Sequence, residues 1–277
     1  MLIRIGHSND PDDAFMVWAL AERRIDARGF EFELVPADIQ TLNEWALEGR
    51  LEVTALSLAS YPLVQDRYML LPHGASIGSG YGPIVVTREP MTRDALREVE
   101  IVVPGPLTTA FLVLGLAVGP FAYRELDFRR ILDEVREGRA DAGLLIHEGQ
   151  LTYADAGLAK SLDLGEWWLG ETGLPLPLGV NAVRRDVGRI GELSGVLAES
   201  IEAALVHRDE ALAYASRFAR NLDDATADEF VSMYVNELTR EYGDEGRRAV
   251  EELLRRAHAA GVYDEPVRVD FVETPTP

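Results

Sequence analysis

The chain has 277 residues, 47% of them hydrophobic, which is enough to bury a core as one large domain or two small ones. It contains no cysteine, so a disulfide scaffold, a cysteine-ligated metal site and a thiol nucleophile are excluded. The formal net charge is −20, from 47 acidic and 27 basic residues, and we see no basic patch. Such a chain repels a phosphate backbone, so we do not expect nucleic-acid binding.

The sequence shows no sign of a membrane or secretory segment. The N-terminal stretch "MLIRIGHSNDPDD" lacks an apolar core and a cleavage signature. No stretch reaches the roughly 18 apolar residues that a membrane-spanning helix needs. We therefore expect a cytoplasmic protein without a membrane partner.

In the first third of the chain, strand patterns alternate with helix patterns. Ile3–Gly6 is a short strand, and "NDPDDAFMVWALAERRI" is a helix with Asp10 as its N-cap and Pro11 at its first position. Next come a strand, "FEFELVPA", and a helix, "IQTLNEWALEGR", that Gly49 ends. The stretch "LEVTALSLASYPLV" predicts a short strand and then a helix that begins near Ser57.

The same alternation continues through the middle of the chain. The predicted strands are "GPIVVTRE", "EIVVPG" and "DAGLLIH", and the predicted helices are "PLTTAFLVLGLAVG" and "FRRILDEVREGRA". After about Val187 the chain is mostly helical, and the Pro-rich tail "DEPVRVDFVETPTP" is expected to dock loosely or fray.

This order of elements predicts an α/β fold with mixed, mainly parallel sheets. The stretches "GPIVVTRE" and "LPLPLGVNAVRRD" are the best candidates for two crossings between lobes. We therefore expect lobe 1 to comprise 1–88 and 184–277. Lobe 2 would be an insertion of 89–183 that carries the pair Thr108–Thr109 and His147.

Hydroxyl and imidazole side chains follow four of the predicted strands, where ligands bind in open α/β sheets. They are His7, Ser8, Ser57, Thr108, Thr109 and His147. Three of these strand ends open helices, whose free N–H groups attract carboxylates or phosphates. An ordinary capping role remains equally open for each serine and threonine. Asp12 and Asp13 are read as acids that complement the helix dipole.

His147 stands out because it follows an apolar run and is therefore expected at a partly buried crevice edge. An imidazole has an unperturbed pKa of about 6.5, which suits a general base, although a structural histidine stays an alternative. His73, His207 and His258 lie in loop or helix-surface contexts. No histidine pair has helical spacing, so we expect no metal site.

Four blocks of sequence together carry a family resemblance. They are "DIQTLNEWALEGRLEVTALS", "VPGPLTTAF", "ADAGLLIHEGQLTYADAGL" and "DLGEWWLGETGLPLPLG". In this order they resemble the 1,4-dihydroxy-6-naphthoate synthases of the futalosine route to menaquinone. The similarity runs from Ile3 to about Asp186 and is looser in the C-terminal helices.

The resemblance implies the fold of type II periplasmic-binding proteins, two α/β lobes with a cleft between them. It implies a lyase that converts cyclic dehypoxanthine futalosine to 1,4-dihydroxy-6-naphthoate without a cofactor, with His147 as the proton acceptor. The partner would be a small aromatic carboxylate; the oligomeric state is left open. The implied or candidate substrate contacts are Thr54, Ala55, Leu56, Ser57, Thr108, Thr109, His7, Ser8 and Asn43.

The chain departs from the family pattern in ways that bear on the substrate. Ala55 stands where the family often has lysine, and Pro106–Leu107 where it often has Arg-His. His7 stands where an aromatic residue is usual, so a histidine gained on one wall could offset the lost lysine. Two other functions stay open: chorismate dehydratase of the same pathway, and a non-catalytic protein that binds a small carboxylate.

Overall fold

The computed structural model describes residues 1–147, 149–218 and 224–273. Contacts group the chain into two compact units. Unit 1 comprises Met1–Ile77, Pro177–Arg247 and Val267–Pro277, and unit 2 comprises Gly78–Leu176 and Arg248–Pro266. The lobe boundaries expected from the sequence, at 88/89 and 183/184, stay a prediction. The boundaries between the two units lie at 77/78 and 176/177, and residues 248–266 also belong to unit 2.

Unit 1 is built on a sheet that has six strands in the described part of the chain. The strands are β1 (Leu2–His7), β2 (Glu31–Pro36), β3 (Val53–Ser57), β4 (Tyr68–Leu70), β5 (Ser76–Gly78) and β11 (Leu176–Arg184). Their order is β2-β1-β3-β11-β4, with β5 beside β11. Because β1 is parallel to both β2 and β3, the carboxyl ends of these three strands lie at one edge.

The helices of unit 1 include one with no exposed face. The unit 1 helices are α1 (Pro11–Ala21), α2 (Ile39–Glu48), α3 (Tyr61–Val64), α8 (Ile190–Val206), α9 (Arg208–Ala215), α10 (Asp224–Tyr234) and α11 (Glu237–Arg240). The helix α12 (Gly243–Ala259) begins in this unit and continues in unit 2. Residues Pro11 to Leu20 of α1 are all buried, because α8, α9 and α10 pack against it.

Unit 2 has a sheet with five described strands. They are β6 (Ile84–Thr87), β7 (Glu100–Val103), β8 (Ala122–Glu125), β9 (Ala142–Leu145) and β10 (Ala159–Asp163), in the order β10-β6-β9-β7-β8. Its helices are α4 (Thr109–Val118), α5 (Phe128–Arg136), α6 (Gly149–Thr152) and α7 (Leu164–Thr172). Strand β7 is parallel to β9, so the carboxyl ends of these two strands also share an edge.

Two expectations need correction. The sheets are mixed, as predicted, but not mainly parallel, because β11 runs antiparallel to β3 and β4, and β6 runs antiparallel to β9 and β10. The described part of the C-terminal tail does not fray. Phe271 forms a bridge to Leu70, Asp270 pairs with Arg185 at 2.6 Å, and Val272 lies in the core of unit 1. Residues 274–277 lie outside the described residues.

Among the described residues, no helix has both the length and the apolar character that crossing a membrane requires.

Candidate active site

The strand-end residues of unit 1 lie where the sequence predicts them. His7 ends β1 and Ser57 ends β3, which are parallel neighbours with Gly6 opposite Thr54. His7 and Ser57 are both buried. Their side chains therefore belong to the same edge of the unit 1 sheet.

Asn43 and Ser57 hold each other through two buried hydrogen bonds. The Asn43 Nδ2 amide donates to Ser57 Oγ at 3.0 Å, and Asn43 Oδ1 accepts from the Ser57 backbone N–H at 2.8 Å. Asn43 lies on α2, so the pair fixes this helix to the end of β3. The predicted contacts Asn43 and Ser57 are thus brought together, with the amide already engaged by protein.

The other predicted substrate contacts on β3, Thr54, Ala55 and Leu56, are all buried. Thr54 Oγ1 donates to the Ala55 carbonyl at 2.8 Å, and Leu56 is fully buried. Ala55 belongs to an apolar cluster with Ala37, Leu42 and Leu51. The position where the family often has lysine is therefore apolar in this chain.

The surroundings of His7 favour the neutral form of its imidazole. Its Nδ1 is 2.8 Å from the Ser8 carbonyl oxygen, which can only accept, so Nδ1 carries the proton. Burial lowers the pKa of His7, and the charge of Asp13 opposes this only in part. The ring of Phe218 packs edge-on at 5.7 Å.

The first turn of α1 contains two acids, Asp12 and Asp13, for which the sequence predicts only an interaction with the helix dipole. Asp13 Oδ2 accepts from the Ser8 backbone N–H at 2.6 Å, and Asp12 Oδ2 accepts from Ser76 Oγ at 3.0 Å. Burial, and then the charges of Asp13 and Asp10, raise the pKa of Asp12 well above its ordinary value. Asp12 is therefore a carboxylic acid that holds its proton more tightly than an exposed aspartate. Two adjacent acids at a helix start show in the sequence where these side chains lie, but not that Asp12 is buried against Ser76.

His73, which the sequence predicts in a loop or helix-surface context, is buried in unit 1. Its Nε2 lies 3.0 Å from Ser194 Oγ, and burial lowers its pKa to about 4. His73 lines a cavity of about 30 Å³ together with His7, Asp13 and Asn181. This volume suits about one or two water molecules.

In unit 2 the two threonines lie at the start of α4, after β7. Thr108 is the N-cap: its Oγ1 accepts from the Phe111 N–H at 3.2 Å and donates to the Gly105 carbonyl at 2.8 Å. Thr109 is the first residue of the helix, and both threonines are buried. Thr108 therefore has the ordinary capping role, and the helix start lies at the strand edge that β7 and β9 share.

His147 lies just beyond the carboxyl end of β9 and is 7% exposed. Its Nε2 is 3.0 Å from the Phe128 carbonyl oxygen, and its Nδ1 accepts from the Gly149 N–H at 3.0 Å. The ring of Phe128 packs edge-on at 4.9 Å. Unit 2 thus places the predicted base on the strand next to the one that leads into Thr108 and Thr109.

Of the adjacent residues Trp167 and Trp168, Trp168 packs in the interior of unit 2. It is fully buried in unit 2, its Nε1 donates to the Pro175 carbonyl at 3.0 Å, and the guanidinium of Arg256 lies 5.4 Å from its ring. In the described ranges 1–147, 149–218 and 224–273, no group of three or more side chains is arranged to hold a metal ion.

Sequence comparison identifies the family. A sequence model of the menaquinone biosynthesis family matches residues 3–259. The chain belongs to this family. It is 42% identical to a 1,4-dihydroxy-6-naphtoate synthase of Thermus thermophilus over 98% of this chain and 99% of the relative. It is 37% identical to a protein of the same name from Streptomyces coelicolor, over 94% of each chain.

Solved structures show the fold of this family member. A crystal structure from Archaeoglobus fulgidus is 44% identical, with a TM-score of 0.90 over 95% of this chain and 98% of that one. A Candida albicans protein described as having the generic periplasmic binding protein structural fold has a TM-score of 0.70 at 15% identity, over 100% and 99% of the two chains. The predicted α/β fold of the periplasmic-binding-protein type is confirmed.

Proposed function

We propose that this menaquinone biosynthesis enzyme is a lyase that converts cyclic dehypoxanthine futalosine to 1,4-dihydroxy-6-naphthoate. Two near-full-length relatives that carry the name 1,4-dihydroxy-6-naphtoate synthase support this assignment. The observation that carries it is the position of His147. It is a buried imidazole at the carboxyl end of β9, beside the strand that leads into the Thr108–Thr109 helix start.

In the proposed reaction His147 acts as the general base. It takes an acidic proton from a substrate carbon, and the electron pair of the broken C–H bond drives an elimination. The sugar-derived part leaves, and the ring system that remains becomes aromatic. Acid–base groups suffice for these steps, so the proposal requires no cofactor.

The start of α4 is the proposed site for the developing negative charge. Thr109 and the first N–H groups of this ten-residue helix form a donor-rich end with a partial positive charge. Preorganised donors of this kind stabilise an oxyanion more in the transition state than in the ground state. Base and donors therefore come from neighbouring strand ends of one unit.

Unit 1 supplies the remaining proposed contacts, His7, Ser8, Asn43 and the segment Thr54–Ser57. The lowered pKa of His7 argues against the idea that this histidine replaces the charge of the missing lysine, because a neutral imidazole cannot pair with a carboxylate as a cation does. We propose instead that recognition in unit 1 uses neutral groups. We propose that the enzyme acts in the cytoplasm.

The test is turnover by the purified chain with cyclic dehypoxanthine futalosine and, in parallel, with chorismate. We expect 1,4-dihydroxy-6-naphthoate from the first substrate, followed by its fluorescence and confirmed by mass, and no reaction of the second. Dehydration of chorismate would favour the dehydratase. Tight binding of the futalosine derivative without any product would favour a non-catalytic carboxylate-binding protein.

A further inference from the structure

Two backbone groups contact the imidazole of His147 and fix which nitrogen carries its proton. The Phe128 carbonyl oxygen, 3.0 Å from Nε2, can only accept a hydrogen bond. The Gly149 N–H, 3.0 Å from Nδ1, can only donate one. Both contacts are satisfied together only when Nε2 holds the proton and Nδ1 offers its lone pair.

We infer that backbone groups of Phe128 and Gly149 select the Nε2–H tautomer of His147, so that Nδ1 is the basic nitrogen and Gly149 is a positioning residue. This inference rests on the proposed function for its catalytic part, because only then does the lone pair receive a substrate proton. The assignment of the tautomer does not depend on the substrate.

Gly149 is suited to this role because it has no side chain. A Cβ atom built at this position would lie 3.0 Å from Cε1 and 3.4 Å from Nδ1 of His147, and 3.4 Å from Leu145 Cδ1. A contact of 3.0 Å is tighter than nine in ten real Cβ contacts, so the imidazole would have to move by a few tenths of an ångström. Glycine therefore allows the N–H to reach Nδ1 while the ring stays against Phe128.

Protonation of His147 changes its hydrogen bonds to the backbone. When Nδ1 takes a proton, the C–H bond of the substrate breaks, an N–H bond forms, and the electron pair stays with the substrate. The new Nδ1–H then faces the Gly149 N–H, and two donors cannot bond each other. The Gly149 hydrogen bond must therefore break as the base is protonated, while the Nε2–H bond to the Phe128 carbonyl can persist.

The direct test is NMR of the native chain with ¹⁵N-labelled histidine, which distinguishes a protonated from an unprotonated ring nitrogen. We expect the His147 signals, assigned by their absence in His147→Gln, to show Nε2 protonated and Nδ1 unprotonated. The opposite pattern, or rapid averaging of the two tautomers, would overturn the inference, whatever the substrate proves to be.

A matched pair of glycine variants tests the positioning role. Gly149→Ala is expected to lower kcat by about tenfold to a hundredfold with a much smaller change in KM, and to disturb the tautomer signals. The control is Gly170→Ala on α7, where an added Cβ meets nothing within 4 Å; kcat and the signals should stay native. Native kcat in Gly149→Ala would overturn the role of Gly149. If the native chain shows no turnover, the proposed function fails, and the NMR pattern alone decides the tautomer.

Discussion

Asp12 places a carboxyl group where the surroundings do not favour charge. It lies in the buried first turn of α1, its Oδ2 accepts from Ser76, and Asp13 follows directly. Because its pKa is raised, the folded chain binds its proton more tightly than the unfolded chain does. The stability from this group is fully present below the ordinary pKa of 3.8 and is lost as pH rises through the raised value.

Asp12→Asn should therefore stabilise the protein at alkaline pH. The amide oxygen can still accept from Ser76 and carries no charge. At about pH 8 we expect the variant to have a higher unfolding free energy in urea than the native chain, with a smaller gain at about pH 5. The control is Glu31→Gln, an exposed acid of unit 1. A variant whose loss of stability with rising pH matches that of the native chain would contradict this account of Asp12.

His73 makes the opposite contribution in acid. Burial lowers the pKa of His73 from an ordinary 6.5 to about 4. Between these values the histidine is protonated in the unfolded chain and neutral in the folded chain, which favours unfolding. Between about pH 7 and pH 5 this group alone should cost the native chain about 2 kcal/mol of unfolding free energy. In His73→Gln that loss should disappear, and in His207→Gln, where the side chain is 56% exposed, it should remain. Equal acid sensitivity in all three proteins would exclude His73 as the cause.

At the scale of single residues, the sequence predicted the positions of side chains that follow from a local pattern. A histidine after an apolar strand and a threonine pair before an apolar helix predicted the places of His147 and Thr108. The burial of Asp12 and His73 could not be predicted. Asp12 is paired by Ser76 and His73 by Ser194, and such long-range partners leave no local signal.

At the scale of elements, the side chain of Asn43 joins α2 to β3 through hydrogen bonds. Asn43 is fully buried and uses both ends of its amide on Ser57. A buried donor or acceptor that loses its partner costs more than the bond itself contributes. The position of this helix against the sheet edge therefore depends on Asn43.

Asn43→Ala should lower the unfolding free energy by about 2–3 kcal/mol, because it leaves the Ser57 N–H and hydroxyl without their partner. The neighbouring exposed residue on the same helix provides the control, and Glu44→Ala should change stability by less than about 0.5 kcal/mol. Both values follow from urea unfolding curves. Similar stability of the two variants would show that the Asn43–Ser57 pair does not hold α2 in place.

Strand and helix positions followed from hydrophobic periodicity, but strand direction did not. β11 and β6 have the apolar patterns of buried strands, and nothing in their residues shows that they pair antiparallel with β3 and β9. Direction depends on how the chain travels between the strands. That path is set by the whole unit rather than by the strand.

At the scale of the whole molecule, the C-terminal segment packs against the sheet and the core of unit 1. The Leu70 backbone donates to the Asp270 carbonyl at 2.9 Å and accepts from the Val272 N–H at 2.8 Å. The Val272 side chain lies in the same core cluster as Ile3 and Leu193, which come from distant parts of the sequence. A Pro-rich composition predicted loose docking, and composition alone does not reveal a single well-buried anchor.

Val272→Ala should therefore destabilise the protein by about 1–3 kcal/mol, the cost of removing buried methyl groups. Val262, which is 52% exposed, offers the matched control. Thermal unfolding of Val262→Ala should stay close to that of the native chain. If Val272→Ala also unfolds at the native temperature, the C-terminal segment does not contribute to the core of unit 1 in solution.

The proposed function requires that this chain uses His147 as a base on cyclic dehypoxanthine futalosine. The most direct measurement compares the native chain with His147→Ala for both substrate binding by calorimetry and formation of 1,4-dihydroxy-6-naphthoate. We expect the variant to bind with a Kd within about threefold of native and to lose at least about a hundredfold in kcat. Product formation at the native rate by His147→Ala would contradict the account.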